Sequence, residues 1–168
     1  MEIGDLLVRG TIWLSLLAWV VGEWRRSAHR GTKAAGRTEW TAGALAALGH
    51  AAAAFHLRHG WSHTAALAET ARQTAAVTGL DWGGGIYVNY LFLTVWTADA
   101  GWWWLNPETF GRRPKALDRA VRTFPLFMFV NGAVVFGQGP IRVAGTAAVL
   151  AVIAAWYRGR GAQRADHG

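Results

Sequence analysis

An all-α, polytopic membrane protein of five spans is the fold class this sequence predicts, and three observations predict it. Hydrophobic residues make up 52% of the 168 and charged residues only 16%. The apolar residues gather into runs of membrane-spanning length separated by polar stretches. Basic residues then sort into alternate loops, as retention of Lys and Arg on the cytoplasmic side requires. Residues 1–168 read as one membrane domain.

The first span covers residues 6–24. Glu2 and Asp5 stand where a secretory signal would carry basic residues, and Val20-Val21-Gly22-Glu23 offers no Ala-x-Ala cleavage site, so this segment is expected to remain as a helix. The second span, 40–59, is alanine-rich and contains His50, His56 and Arg58, a weak insertion signal. It is kept because without it the basic cluster from Arg112 to Arg122 falls on the wrong side. Residues 60–83 form an outer loop of helical character: His63 to Val77 is rich in Ala, Glu, Arg and Gln without proline, and is expected to continue the second helix to Thr78-Gly79, with a bend at Gly60. Gly83-Gly84-Gly85 admits the third span, 84–104, which Asn106-Pro107 ends. The fourth and fifth, 123–138 and 141–157, are short and extend into flanks where Arg119, Arg122 and Arg142 snorkel. The tight turn Gly137-Gln138-Gly139-Pro140 makes them antiparallel neighbours.

Orientation follows from the loops. Residues 25–39 hold Arg25, Arg26, Arg30, Lys33 and Arg37; residues 105–122 hold Arg112, Arg113, Lys115, Arg119 and Arg122; the tail 158–168 holds Arg158, Arg160 and Arg164. These are thirteen of the 17 basic residues, against Arg9, Arg58, Arg72 and Arg142 elsewhere. The N-terminus is therefore expected outside and the C-terminus in the cytoplasm. Trp24, Trp40, Trp102, Trp103, Trp104 and Trp156 fall at inner ends and Trp61 and Trp82 at outer ends, in the pattern of an aromatic belt. The same sorting accounts for the net charge of +7 without a nucleic-acid partner. The expected partner is the lipid bilayer, of a bacterial plasma membrane, with other membrane subunits or a second copy of the chain beside it. No cysteine occurs, which removes disulfides and thiolate metal sites.

Four histidines crowd the second span and its continuation: His50, His56, His59 and His63. On a continuous helix the last three share a sector of about 60°, and His59 and His63 have the four-residue spacing at which two imidazoles grip one ion. Glu69, Asp81, Tyr87 and Tyr90 are the completing ligands expected on the same side. Imidazole with carboxylate or phenolate suits Zn, Cu or Fe. His59 and His63 resemble one histidine box of the membrane di-iron enzymes, but the further boxes are absent and that family's activity is not implied. Haem within one chain is disfavoured, because two axial histidines come from facing helices whereas His29 and His167 lie in the inner loop and tail.

On the third span, Tyr87, Tyr90, Thr94, Thr97 and Gly101 form a polar and small stripe, expected to face the alanine-rich second span. Asp99 lies on the other side of that helix, and an intramembrane carboxylate is a functional candidate with Arg112 or Arg113 as its partner. The function expected from these residues is a transition-metal site at the outer face, with a membrane oxidoreductase among its activities. The alternatives are a non-catalytic small subunit of a larger membrane complex, or a small proton- or ion-coupled transporter using His50 and Asp99 as a relay. The last is disfavoured by size and by the lack of internal repeats.

Overall fold

The computed structural model describes residues 3–29, 32 and 34–165, with 160–165 as backbone alone. Arg30, Lys33, His167 and the side chains of Arg160 and Arg164 lie outside the described residues. Helices account for every regular element, and no strand occurs among the described residues. In order they are α1 (Ile3–Ala28), α2 (Arg37–His59), α3 (His63–Thr78), α4 (Gly85–Leu105), the short α5 (Pro107–Gly111), α6 (Lys115–Phe129), a π-helical turn (Val130–Val135) and α7 (Pro140–Ala165).

Most of the punctuation obeys the residues expected to set it. Gly79 ends α3 with positive φ, its N–H bonded to the Ala75 carbonyl. Asn106 closes α4 and its side chain caps α5, whose first residue is Pro107. The chain turns between Val135 and Pro140, and α7 packs back on the π turn. The fourth expected span is less regular. Its helix starts at Lys115 rather than 123, buries Pro125, and loosens into the π turn, where the Phe136 N–H reaches Asn131 O at 2.9 Å. Proline removes one helical donor and crowds the preceding turn, a recognised cause of such departures.

Two helices, Ile3–Ala28 and Pro140–Gly159, are long and apolar enough to cross a bilayer. The segments over the other expected spans are interrupted or weaker: α2 relies on alanine, α4 sets Asn89 and Asp99 into an aromatic and aliphatic run, and α6 begins among Lys and Arg. Around the molecule each helix packs on the next, α1 on α2, α2 on α4, α4 on α6, the α6 and π segment on α7, and α7 on α1, closing a ring. Inside it lie Trp19, Trp40 and Trp96, with Trp19 stacked on Phe129 at 5.1 Å between centroids and Trp96 5.2 Å from both Trp40 and Phe92. The outside is apolar at heptad spacing: Leu7, Leu14 and Val21 on α1, and Val143 and Leu150 on α7, are exposed. A stripe of that kind faces lipid or a partner rather than water.

Small residues let α1, α2 and α4 approach. Ser15 Oγ donates to the Gly43 carbonyl at 2.8 Å, and a Cβ at Gly43 meets the Trp96 ring at 2.7 Å. At the entry to α2, Gly36 has φ 80 and a Cβ there meets the Gly22 carbonyl oxygen at 2.6 Å. That close turn holds the end of α1 against the start of α2, which brings Glu23 and Arg26 to the mouth of the ring. One end of the molecule thus collects the termini rich in Arg, and the other collects the histidines.

Candidate functional site

At the histidine end the expected shared helical face does not exist. Gly60 (φ 52) and Trp61 (φ 61) both take the left-handed conformation, α2 stops at His59, and α3 starts afresh with Ser62 as its cap. The four-residue spacing of His59 and His63 therefore spans a break, and the bend expected at Gly60 is a full interruption. His50 sits further back and bonds through Nδ1 to the Val8 carbonyl at 2.9 Å, joining α2 to α1. His56 accepts from Trp61 Nε1 at 3.2 Å, and His59 packs its ring edge on Phe55. Glu69 is held by Arg72 and Gln73, whose hydrogen bonds keep its carboxyl below the usual range. Asp81 is exposed on the connection to α4.

What the fold does bring together is His63 with Tyr90 and Tyr87. The imidazole Nδ1 is 2.9 Å from Tyr90 Oη and Nε2 is 3.4 Å from Tyr87 Oη. Each ring nitrogen meets a different phenol, so the three groups form a bridge rather than a chelate. Among the described residues no three His, Asp or Glu side chains gather as a metal set.

The stripe on α4 also behaves differently from its expectation. Thr94 is exposed and bonds the Tyr90 carbonyl, Thr97 bonds the Leu93 carbonyl at 2.5 Å, and Tyr87 is exposed. A threonine that returns its hydroxyl to its own helix has no need of a partner helix. The buried face of α4 is instead Phe92, Trp96, Asp99 and Trp103. Asp99 is consequently level with Trp40 near the start of α2, whereas His50 lies ten residues further along, about 15 Å of helix rise. The expected relay pair is not brought together.

The dense constellation is at the other end. Asp99, 4% exposed, pairs with Arg113, 3% exposed; Arg113 also grips Asp118, with Nε 3.1 Å from Oδ1. Arg122 approaches Asp118 at 3.7 Å and donates to Glu23 through Nε at 3.2 Å from each carboxylate oxygen and through Nη2. Glu23 is fully buried and also accepts from Trp156 Nε1 at 2.6 Å. Arg26 closes the series, 3.6 Å from Glu23. Its guanidinium carbon lies 4.7 Å from the Trp40 ring centroid and 4.1 Å from that of Trp103, which stacks on Phe110. Burial pushes the Asp118 carboxyl up, but the Arg113 hydrogen bond and the charges of Arg113, Arg122 and Arg26 outweigh it and leave it below the ordinary value.

Three helices, α1, α4 and α6, and the connection between α5 and α6 thus contribute charges at one end of the molecule. They surround a cavity of about 390 Å³ walled by Arg26, Arg113, Lys115, Asp118, Arg122 and Trp103. Neither terminal nitrogen of Arg26 has a hydrogen-bond partner in the chain, although both are buried. The pairing of Asp99 with Arg113 is one of the two expected from sequence. Glu23 was missed, yet it lies inside the 6–24 span and the same argument about acids within apolar helices applies to it.

The chain matches no family model, no curated protein and no solved structure. Its function has to be argued from its own residues.

Proposed function

We propose that the chain is a five-span membrane protein, N-terminus outside, and that it works as a non-catalytic anion-binding component whose site is the arginine-walled cavity at the cytoplasmic end. The closed ring of helices and the exposed apolar stripes support the spans, and the gathering of basic termini at one end supports the orientation. The single observation that carries the binding reading is Arg26: a guanidinium stacked over two indoles, 11% exposed, with both terminal nitrogens lacking an acceptor at the wall of a cavity. Buried polar groups are nearly always satisfied, and a fork of N–H donors left over beside a cavity favours a bound anion.

The test is thermal unfolding of the detergent-purified chain with inorganic phosphate or dimethyl phosphate at millimolar concentration. Ligand that binds only the folded state raises the midpoint. A rise in the wild type that Arg26→Gln abolishes is the expected result; no anion-dependent rise in either protein refutes the reading.

A second reading keeps a transition metal, Zn, Cu or Fe, at the other end. It draws on the grouping of His63 with Tyr87 and Tyr90 from α4, whose hydrogen bonds to the imidazole a bound ion would have to replace. Metal analysis of the purified chain beside His63→Ala decides it, since absence of stoichiometric metal from the wild type removes the reading.

A further inference from the structure

The anion-binding reading leaves the class of anion open, and the charges around the cavity narrow it. Four cations, Arg26, Arg113, Lys115 and Arg122, line it, while Glu23, Asp99 and Asp118 neutralise the arginines. Among the described residues of the wall and their ion-pair partners one positive charge remains, with histidine counted as neutral. A dianion leaves that balance one charge negative, whereas a monoanion closes it.

Shape adds a second constraint. The Arg26 guanidinium carbon lies over two indole rings, and the fork of N–H donors that a guanidinium carries in its plane matches a tetrahedral group with two free oxygens. Lys115 is exposed at the same wall and supplies a mobile point charge. The volume, about 390 Å³, lies within the ordinary range for small-molecule sites and exceeds what an inorganic ion fills.

Surroundings supply the third. Leu105, 88% exposed, stands two residues before the wall residue Pro107, and Leu117, also exposed, two residues after Lys115. Apolar side chains beside a charged mouth suit a ligand with a polar head and a hydrocarbon tail. Indoles mark the same level: Trp104 donates to Thr41 at 2.9 Å under Arg37, and Trp24 packs with Arg158, the arrangement side chains take at a headgroup layer.

We infer that the ligand is the phosphodiester of an anionic phospholipid, its phosphate on Arg26 and Lys115 and its acyl chains over Leu105 and Leu117. Basic pockets between membrane helices on the cytoplasmic side hold lipid headgroups by this physics. The inference rests on the anion-binding reading and is separable from it.

The full chain, reconstituted in nanodiscs of mixed phosphatidylglycerol and phosphatidylcholine, is released into native mass spectrometry and its retained lipid counted. The wild type should retain phosphatidylglycerol over phosphatidylcholine. Lys115→Gln, an exposed change that keeps the fold, should reduce that preference about fivefold, the effect of one basic residue at a lipid surface. Arg26→Gln should abolish it, and Arg9→Gln, outside the cavity, should leave it intact. A parallel titration in delipidated detergent uses inorganic phosphate and glycerophosphoglycerol. If both lipids are retained equally while soluble phosphate still stabilises the protein through Arg26, the lipid inference is overturned and the anion site stands. If neither lipid nor soluble anion responds to Lys115→Gln and Arg26→Gln, both are overturned.

Discussion

Removing the Glu23 carboxylate probes whether the charged cluster at the basic end is a unit. Glu23 is fully buried, accepts from Arg122 through Nε and Nη2, accepts from Trp156 at 2.6 Å, and faces Arg26 at 3.6 Å. Glu23→Ala leaves the Trp156 indole N–H without its acceptor, Arg26 without its ion-pair partner and Arg122 with Asp118 alone, at 3.7 Å. Breaking a buried pair by removing one partner costs about 3–5 kcal/mol, mostly the penalty of the charge left behind. For a chain of this size that corresponds to a midpoint lower by roughly 6–20 °C. Glu23→Gln keeps the shape and one acceptor and should cost less. The assay is reversible unfolding in mixed detergent micelles followed by tryptophan fluorescence, since Trp19, Trp40 and Trp156 lie in or against the packed interior. A cycle with Arg122→Met isolates the pair, because the double variant removes both charges and should recover much of the loss. A Glu23→Ala protein within about 0.5 kcal/mol of wild type, the range of an ordinary surface change, would refute the claim that these charges hold the helices together.

Three further outcomes follow from the geometry. Gly43→Leu should destabilise by at least about 1–3 kcal/mol, since even a Cβ meets the Trp96 ring at 2.7 Å and overpacking forces helices apart; an unchanged midpoint in the same unfolding assay contradicts the close α2–α4 approach. Asp118 has its folded-state value lowered, so its contribution is complete above the unfolded-state value of about 3.9 and lost as pH falls through the lower folded value. A pH series of midpoints should therefore fall below about pH 4 in the wild type and fall less in Asp118→Asn. Tyr90→Phe removes an exposed hydrogen bond to His63 and should cost no more than about 1.5 kcal/mol; a larger drop in chemical-denaturation stability assigns that bridge a structural weight its exposure does not support.

The helix boundaries were largely legible because each is set by a local rule. Gly79, Asn106 with Pro107, and the turn before Pro140 act through backbone chemistry that neighbouring residues do not override. The histidine face was not legible in the same way. Its spacing argument holds only on an unbroken helix, and one residue with positive φ would be a bend whereas Gly60 and Trp61 together end the helix. A tryptophan in the left-handed region is costly and uncommon, and composition gave no warning of it. The α4 stripe failed for a different reason: hydroxyls of Thr94 and Thr97 can be satisfied within their own helix, while large aromatic side chains can gain contacts only by packing inward. Phe92, Trp96 and Trp103 therefore chose the buried face. Asp99 was found because it is alone in an apolar run, and Glu23 was overlooked because it sits one residue from the end of one.

On the proposed topology the same arginines serve at two stages, which reconciles an orientation built on basic residues with a folded protein in which several of them are neutralised. Insertion reads segments before they pack, and acidic residues contribute little to that decision. Arg26, Arg113 and Arg122 therefore count toward orientation while the helices are still separate. Once α1, α4 and α6 meet, Glu23, Asp99 and Asp118 engage those arginines and the charge that oriented the chain becomes the charge that joins it. Helices in lipid have little hydrophobic drive toward one another, so packing and polar pairing decide their association. Lys115 and Arg112 add no such pairing to the network and remain on the exposed side. The division predicts that substituting Lys115 and Arg112 alters attraction to an anionic membrane while leaving unfolding midpoints within a degree or two, whereas substituting Arg113 lowers the midpoint steeply at unchanged net charge if lysine replaces it, because a lysine cannot grip Asp99 and Asp118 through one planar fork.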